Sequence, residues 1–392
     1  MPASEIQNTA GFNDETAKSD APASHLPRRR IAIFLIIVPT ILLGANWFVF
    51  ATWNHFHKAA VIPAWEIIPP ALTVTFVLCM LLGFRRSGLW LRLAYRISAT
   101  WLGILNLSFF AACAAWIVAA ASLLLPFHIA PGLIATTCLG TVAFASIYGL
   151  INASWLRVTR VTVKLKNLPA EWQGRTAALV TDMHLGNVRG ANFTRRVVAK
   201  LQQLQPAAVF ISGDMFDGVE ADLDALVAPW KQLSVPAGIW YVTGNHEEFT
   251  DRSKFINAVK GAGIRVLENG KADIHGLQLV GIHDGETHDA PLFKSLLQNA
   301  ALDRNRASIL LAHQPSNLEI PAGEGISLQL SGHTHNGQMW PWHRLAARVH
   351  GKFVYGLHRF HDMQVLTSSG AGTWGVPMRI RTKSEIVLVR FE

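Results

Sequence analysis

The stretch Ser331-Gly332-His333-Thr334-His335-Asn336-Gly337-Gln338 places two histidines two residues apart. It follows the run Ile326–Leu330, in which apolar and polar residues alternate as they do in a half-buried strand. Ser331 and Gly332 are small residues, which let a ligand approach the backbone closely. The stretch therefore predicts a strand that ends in two imidazoles directed to one place, and its meaning depends on the residues upstream.

The composition divides the chain of 392 residues into two unlike parts. The long apolar runs fall within residues 28–155, and many basic residues flank those runs, so the net charge of +9 indicates membrane topology rather than nucleic-acid binding. Cys79, Cys113 and Cys138 all lie in apolar runs, which excludes a disulfide framework or a thiolate metal site in the second part. Residues 1–27 are polar, lack apolar periodicity and are predicted to be a disordered tail.

Four apolar runs are long enough to cross a bilayer, which needs about 20 residues. They are roughly Ile31–Trp53, Trp65–Phe84, Ala99–Leu125 and Ala130–Leu150. A cleaved signal peptide or a twin-arginine export signal is the competing interpretation of the first run, and it is weakened by the three runs that follow. The segment Leu89–Tyr95 is predicted to be either an interfacial helix or an ordinary loop.

Arginines mark one side of the predicted membrane region. Three arginines precede the first run, four lie between the second and third, and Arg157 and Arg160 follow the fourth. The opposite side carries only Lys58 and three histidines, His55, His57 and His128. Because positively charged flanks remain cytoplasmic, both termini and the second part of the chain are predicted to be cytoplasmic.

From about Val158 onward, short apolar runs alternate with amphipathic segments, a pattern that predicts α/β architecture. The predicted strands are Thr176–Thr181, Ala208–Ser212, Ile239–Thr243, Leu277–Ile282, Ser308–Ala312, Ile326–Leu330, Met363–Thr367 and Ile386–Val389. The predicted helices are Asn192–Leu204, Ala221–Leu233, Arg252–Lys260 and Pro291–Asn299.

Polar side chains follow five of these strands, and the carboxyl ends of strands are where α/β sheets assemble their sites. The residues concerned are Asp182, His184, Asp214, Asp217, Asn245, His246, His313, His333 and His335. Carboxylates together with imidazoles suit Mn²⁺, Fe²⁺ or Zn²⁺, and Mg²⁺ less readily. Two such ions about 3.5–4 Å apart can clamp the attacking and leaving oxygens of a phosphoryl group. Asp214 is the natural bridging carboxylate because it stands alone between the D-x-H and GNH groups.

These residues, in this order, resemble the calcineurin-like metallophosphoesterases, through D-x-H, GDxxD, GNHE, a single histidine and GHTH. The resemblance covers roughly Val158–Glu392 and implies a four-layer α-β-β-α sandwich. It implies one metal held by Asp182, His184, Asp214 and His335, and a second held by Asp214, Asn245, His313 and His333. It further implies that His246 is the general acid and that Asp217 orients it. A helix-capping role is the alternative for Asp217.

Two further features bear on the substrate. The segment Ser368–Thr373, with Pro377 and Arg379, looks like the membrane-anchored bacterial branch, which includes phosphodiesterases and enzymes that act on lipid-linked pyrophosphates. Protein phosphatases of the family carry an arginine after the second aspartate of GDxxD, whereas this chain carries Gly218. A phosphodiester or pyrophosphate is therefore favoured over a phosphoprotein.

The sequence thus predicts a multi-pass bacterial inner-membrane protein whose residues 156–392 hydrolyse a phosphodiester or pyrophosphate, in a lipid or a nucleotide-linked lipid. A hydroxide bridging the two ions would attack, and His246 would protonate the leaving group. The alternative is a catalytically idle phosphoesterase fold that serves as a binding module on a membrane anchor. Nucleic acid is disfavoured as a substrate, since the sequence shows no pattern of basic residues interleaved with aromatic residues that would indicate a binding groove.

Several other residues receive structural interpretations. Glu247 and Glu248 are expected to be solvated or structural. His283, Asp284 and His288 are expected to support the ligands from behind or to lie on the surface. The tryptophans Trp340, Trp342 and Trp374 either rim a substrate pocket or serve packing and interfacial anchoring.

Overall fold

The computed structural model describes residues 28–58, 62–126 and 129–392, and the tail predicted at residues 1–27 lies outside them. The α-helices in these ranges are α1 (Arg28–Phe56), α2 (Ile68–Gly83), α3 (Leu89–Ser122), α4 (Pro131–Ser154), α5 (Ala191–Leu204), α6 (Leu223–Val227), α7 (Arg252–Gly261), α8 (Asp284–Thr287), α9 (Ala290–Asn299), α10 (Glu319–Gly323) and α11 (His343–His350). The strands are β1 (Arg157–Val163), β2 (Thr176–Val180), β3 (Ala208–Ser212), β4 (Ile239–Val242), β5 (Arg265–Val266), β6 (Gly270–Ile274), β7 (Leu277–Gly281), β8 (Ser308–Leu311), β9 (Leu328–Ser331), β10 (Gly356–Phe360), β11 (Met363–Thr367) and β12 (Glu385–Phe391).

The first four helices carry the apolar runs seen in the sequence. Within the described residues, four helical segments are long and apolar enough to cross a membrane, and these are α1 to α4, with a 3₁₀ turn extending the start of α2. The four expected apolar helices are therefore present ahead of the strands. The segment Leu89–Tyr95 is helical, so the loop alternative is wrong, and it continues without interruption into the third apolar run as one helix of 34 residues, Leu89–Ser122.

The continuity of α3 has a sequence reason and a geometric consequence. No glycine or proline lies between Leu89 and Ala99, so nothing stops the helix from running through its arginines into the apolar part. A helix of this length spans about 51 Å, which exceeds the roughly 30 Å of bilayer hydrocarbon. The first turns of α3, which carry Arg92 and Arg96, therefore extend toward the strand-rich half of the chain.

Two mixed sheets organise that half. In the described part of the chain each sheet has six strands, in the orders β1-β12-β2-β3-β4-β5 and β10-β11-β9-β8-β7-β6. The strands β2 to β5 are mutually parallel in the first sheet, and β7, β8, β9 and β11 are parallel in the second. The inner strands are apolar on both faces, which fits strands covered on both sides.

The layers follow from where each face of a strand packs. In β2, Ala177 and Leu179 face the core between the two sheets, whereas Ala178 and Val180 pack against the helices outside the first sheet. Phe293 and Leu297 of α9 cover the outer face of the second sheet. Helix, sheet, sheet and helix thus form the predicted four-layer sandwich. The carboxyl ends of β2, β3, β4, β8 and β9 carry the polar residues that the sequence analysis singled out.

The membrane helices are packed directly against the sandwich. Leu107 of α3 and Val142 of α4 form a small apolar cluster with Met339 and Met378 of the strand-rich half. Gly103 of α3 makes this close approach possible, since a Cβ at that position would lie 2.6 Å from Val376 Cγ1. The interface therefore depends on a small residue in a membrane helix as well as on apolar contact.

Hydrogen bonds reinforce the same interface. Asn152, near the end of α4, is buried and donates to the backbone carbonyls of Arg379 and Thr382, both at 2.8 Å. Asn106 of α3 donates to the carbonyl of Trp340 at 3.1 Å and accepts from Trp342 Nε1 at 2.8 Å. These two tryptophans therefore hold the sandwich against α3, which corresponds to the packing alternative in the sequence analysis.

Candidate metal centre

The strand ends bring the seven predicted ligands into one region, in which Asn245 and His333 are half-buried and the other five are buried. Asp182 and His184 follow β2, Asp214 follows β3, and Asn245 follows β4. His313 follows β8, and His333 and His335 follow β9. Among the described residues, three groups of donors could hold a metal ion. The first is Asp182 with His184 and His335, the second is Asp214 with His313 and His333, and the third is His184 with Asp217 and His246.

The first group surrounds the end of β2. His184 Nε2 lies 3.0 Å from His335 Nε2 and 4.0 Å from Asp182 Oδ1. His335 Nε2 lies 3.5 Å from the same carboxylate oxygen. Asp182 and His184 are at most 1% exposed, and His335 is buried as well, so these atoms face one another away from solvent.

The second group lies next to the first, and its Asp214 carboxylate is the point of contact between them. Asp214 Oδ2 is 3.2 Å from His313 Nε2 and 3.7 Å from His184 Nε2 of the first group. His333 Nδ1 lies 2.8 Å from Asn245 Oδ1, which adds the amide oxygen to this side. The Asp214 carboxylate thus lies between both groups, which is the arrangement that a shared ligand requires.

The tautomers of two histidines are fixed by their second ring nitrogens. His313 Nδ1 donates to the Ser212 carbonyl at 2.8 Å, and His184 Nδ1 lies 3.2 Å from Asp217 Oδ1. Each ring then directs its Nε2 to the centre. Burial lowers the pKa of both rings, but Asp217 and Asp214 raise that of His184, and Asp214 raises that of His313, to a net pKa above the usual value. His313 Nε2 is buried and has no hydrogen-bond partner among the described residues. The nitrogen and oxygen atoms of these side chains lie close enough together to coordinate a cation, so the donor set fits metal ions.

Burial and mutual charge explain the titration of this cluster. Burial would raise the pKa of the Asp214 carboxyl, but His313, His246 and His184 hold that pKa well below its usual range. Burial lowers the pKa of His333 to about 3, and His313 lowers it further. His333 therefore stays neutral at physiological pH, as a metal-binding imidazole must.

The backbone at five of the predicted ligands is held in an uncommon conformation. Asp182, His184, Asp214, His333 and His335 all have positive φ, between 47° and 68°. Left-handed backbone is uncommon for residues with side chains and is found preferentially at functional sites. The left-handed backbone turns the five side chains inward immediately after their strands. The periodicity of the sequence does not indicate this conformation.

Asp217 and His246 lie beside the predicted ligand His184. The Asp217 carboxylate is closer to His184 Nδ1, at 3.2 Å, than to His246 Nδ1, at 3.7 Å. His246 Nδ1 instead lies 3.2 Å from the backbone carbonyl of Asp217. Asp217 thus contacts both rings, through its side chain for His184 and mainly through its main chain for His246.

Glu247 has a structural part in the site that the sequence expectation left open. It is fully buried, and its carboxylate accepts from the backbone N–H groups of Asp214, Phe216 and Gly244, at 3.1, 2.8 and 2.7 Å. It therefore ties the loop after β3 to the loop after β4 and fixes the position of Asp214. The position of Glu247 directly after His246 is the sequence feature that could have indicated this role.

Arg379 supports the opposite side of the centre. Its guanidinium is fully buried and donates to the carbonyls of Ser369 and Gly372, at 2.6 and 2.7 Å, and to the carbonyl of His335 at 3.3 Å. Asn152 of α4 holds the Arg379 backbone in turn. The His335 loop is thereby connected to a membrane helix through one arginine.

The cluster after β7 lies behind these ligands. His283 and Asp284 are buried, and Asp284 Oδ2 is 3.1 Å from His288 Nε2 and 3.2 Å from Gln314 Nε2. His283 Nδ1 accepts a hydrogen bond from the backbone N–H of Thr243 at 3.1 Å. His283 therefore packs against the strand that leads to Asn245, as the supporting interpretation expected.

Stability should depend on pH through His283. Burial, together with Arg252, lowers the pKa of His283 to about 4. An unfolded histidine takes up its proton near pH 6.5, so acidification between about 6.5 and 4 favours the unfolded chain, by up to about 3 kcal/mol at the acid end. His283→Gln retains an acceptor for Thr243 and removes this titration. We expect the melting temperature of the native chain, measured in detergent, to fall more steeply with acid than that of the variant; parallel curves would contradict this role.

Fold and donor set together define a class: a two-sheet sandwich with paired aspartate and histidine groups at its strand ends is a metal-dependent phosphoesterase scaffold. Residues 176–337 match the calcineurin-like phosphoesterase family, and this part of the chain belongs to that family. The family depends on two metal ions, and the aspartate and histidine groups described above supply suitable donors.

Three relatives illustrate the similarity. A metallophosphoesterase of Helicobacter pylori is 31% identical over 216 residues, which are 54% of this chain and 58% of that protein. A transmembrane protein with metallophosphoesterase domain from Danio rerio is 33% identical, over 62% of this chain and 59% of that protein. A metallophosphoesterase of Campylobacter jejuni is 31% identical, over 63% and 66%. The chain thus spans 58% to 66% of the length of these relatives.

Proposed function

We propose that this chain is a membrane-bound dinuclear-metal hydrolase of phosphodiester or pyrophosphate bonds, with residues 28–155 as its membrane region and residues 156–392 as its catalytic domain. The observation that carries the proposal is the Asp214 carboxylate, whose Oδ2 lies 3.7 Å from His184 Nε2 and 3.2 Å from His313 Nε2. A carboxylate between two donor groups suits a pair of cations acting on one phosphoryl group.

The proposed ligand sets follow these two groups. One ion would be held by Asp182, His184, Asp214 and His335, and the other by Asp214, Asn245, His313 and His333. When bound, such a pair supplies an activated water and neutralises charge on the phosphoryl oxygens. Mixed carboxylate, amide and imidazole donors favour Mn²⁺, Fe²⁺ or Zn²⁺ over Mg²⁺.

His246 is the proposed proton donor to the leaving oxygen. Its ring stands 4.6 Å from that of His184, measured between centroids, so it adjoins the proposed ligands. The contact of its Nδ1 with the Asp217 carbonyl leaves Nε2 as the nitrogen available for proton transfer. A positioned imidazole of this kind contributes about 10²- to 10⁴-fold to a rate when the leaving group needs a proton.

Gly218 supports a diester or pyrophosphate over a phosphoprotein. Its φ is +71°, and a Cβ at this position would lie 2.8 Å from the carbonyl oxygen of His246. An arginine therefore does not fit where protein phosphatases of the family carry one. A site that lacks this cation is better suited to a phosphate with fewer charges at the attacked phosphorus.

Exposed aromatic rings beside His246 support a lipid as substrate. Phe249 and Trp374 are 51% and 59% exposed, and their ring centroids lie 4.6 and 6.4 Å from that of His246. Large exposed apolar side chains next to a buried polar site suit a substrate with a phosphate head and an apolar tail. The proximity of the membrane helices supplies such molecules at high effective concentration.

The arginine pattern supports a cytoplasmic catalytic domain in a bacterial inner membrane. Arg85, Arg86, Arg92 and Arg157 flank the helix ends nearest the sandwich. Positively charged flanks remain on the cytoplasmic side. Protease added to inverted vesicles should therefore degrade the catalytic domain, and its protection there would reverse the proposed orientation.

The activity is tested on the detergent-purified full chain with Mn²⁺. We expect hydrolysis of bis(p-nitrophenyl) phosphate to exceed that of p-nitrophenyl phosphate, and lipid pyrophosphates or glycerophosphodiesters to be cleaved faster than nucleotides. Removal of metal by a chelator should abolish turnover, and Mn²⁺ should restore it. Preference for the monoester would overturn the substrate class, and absence of both metal and turnover would favour an idle binding module.

A further inference from the structure

A cavity of about 400 Å³ lies between the catalytic half and the membrane helices. Three arginines line it: Arg96 from α3, Arg189 from the loop before α5, and Arg196 from α5. Among the described residues that line this cavity, none is acidic. Three guanidinium groups around one cavity without a lining carboxylate create a strong positive potential there.

Arg189 is the most informative of the three. It is 8% exposed and donates from Nη2 to the Ala153 carbonyl at 2.8 Å, whereas its buried Nε has no hydrogen-bond partner in the described part of the chain. Burial, with Arg196 and Arg96, lowers the pKa of Arg189 to about 10, so it remains charged at neutral pH. The Arg189 guanidinium lies over the Phe193 ring, 4.6 Å from its centroid, and the charged groups that shift its pKa are arginines alone. A bound anion would therefore stabilise this buried charge.

The start of α5 adds further positive potential. Its N-cap is Gly190, which provides no side-chain hydrogen bond, and its first turn contains no acidic residue. Gly190 and Asn192 both line the cavity, so the uncapped end of this helix of 14 residues borders it. Helix N-termini with free N–H groups favour phosphate and other anions.

The position of the cavity indicates where its anion comes from. Thr100 lies in the early turns of α3 and Ser154 at the end of α4, so both belong to the helix ends next to the sandwich. A second recess, lined by Leu150, Ile151, Ser154 and Trp155, adjoins the cavity and shares Leu150 and Ser154 with it. Ile151 and Trp155 are 61% and 62% exposed, which provides an apolar surface beside the arginines.

We propose that Arg96, Arg189 and Arg196 bind the phosphate of an anionic phospholipid, whose acyl chains lie along the recess at the end of α4. A phosphate group in the cavity would neutralise the charges of the three arginines that line it, and the adjoining apolar surface distinguishes a lipid from free phosphate. The cavity uses none of the residues of the candidate metal centre. It is therefore a separate site, beyond the proposed hydrolysis, that seats the catalytic domain on anionic membrane.

The experiment uses the full chain in detergent, titrated with palmitoyl-oleoyl phosphatidylglycerol and followed by native mass spectrometry. Arg196→Gln is the main variant, because this side chain is exposed and its one side-chain hydrogen bond among the described residues is to the Ser154 carbonyl, and Arg189→Gln is the second. Arg195→Gln is the matched control, since Arg195 is an exposed neighbour on the same helix that does not line the cavity. Phosphatidylcholine and inorganic phosphate serve as the other ligand arms.

We expect phosphatidylglycerol to bind the native chain and Arg195→Gln with similar affinity, and each cavity variant about tenfold more weakly, as fits the loss of one charge-assisted contact. Phosphatidylcholine should bind more weakly than phosphatidylglycerol. Equal losses in Arg195→Gln and Arg196→Gln would overturn the site, because they would show a general charge effect. Binding of inorganic phosphate without any arginine-dependent binding of phosphatidylglycerol would overturn the lipid assignment.

Discussion

Asp214→Asn should reduce turnover of a phosphodiester by about three orders of magnitude and should leave the protein with fewer than two bound metal ions. The carboxylate lies between both donor groups and is 1% exposed. An amide keeps the size of the side chain but removes the charge that a shared ligand needs, and several kcal/mol of stabilisation depend on the metal pair. Initial rates and metal content of the purified full chain, measured together, test this.

Asp362→Asn is the matched control. It is the same aspartate-to-asparagine substitution, at an exposed residue away from the centre. The control should keep both its turnover and its metal content. The backbone N–H of His246 donates to Asp214 Oδ1 at 2.9 Å, so the circular dichroism of each variant must be checked for an intact fold. A folded Asp214→Asn protein with two ions and native turnover would remove Asp214 from the centre.

His246→Asn should show a rate loss that depends on the leaving group. Hydrolysis of a diester with an alkoxide leaving group should slow by about 10²- to 10⁴-fold, since an alkoxide must be protonated as it departs. Hydrolysis of bis(p-nitrophenyl) phosphate should change by only about threefold, because p-nitrophenolate leaves without a proton. Comparing kcat for the two substrates separates proton donation from damage to the whole site.

His275→Asn provides the matched control for this substitution, because His275 is partly exposed and pairs with Glu171 away from the centre. It should leave both rates unchanged. Equal losses on both substrates in His246→Asn would contradict a proton-transfer role and would indicate that the ring positions the substrate or the ligands instead.

The inner strands and the donors at their ends could be predicted because both depend on local signals. Strands such as Ala208–Ser212 are short apolar runs between polar segments. The residues that follow neighbouring parallel strands lie at the same edge of the sheet. That is why Asp182 and His335, far apart in the sequence, could be expected in one place. The four apolar helices could also be predicted, since length and hydropathy alone define them.

Edge strands and supporting contacts could not be predicted, because they depend on partners distant in the sequence. The strand Arg157–Val163 is half polar and pairs with Glu385–Phe391, more than two hundred residues away. The hairpin strands Gly270–Ile274 and Gly356–Phe360 likewise lie at sheet edges and lack a clear apolar run. The three backbone donors to Glu247 and the left-handed conformation of the ligands arise only in the folded chain.

The most direct measurement is the anomalous scattering of a crystal of the full chain grown with Mn²⁺. The account predicts two manganese peaks about 3.5–4 Å apart, with the Asp214 carboxylate between them and the histidines of both groups around them. A single peak, or two peaks that do not share Asp214, would contradict the dinuclear centre on which the proposed hydrolysis rests.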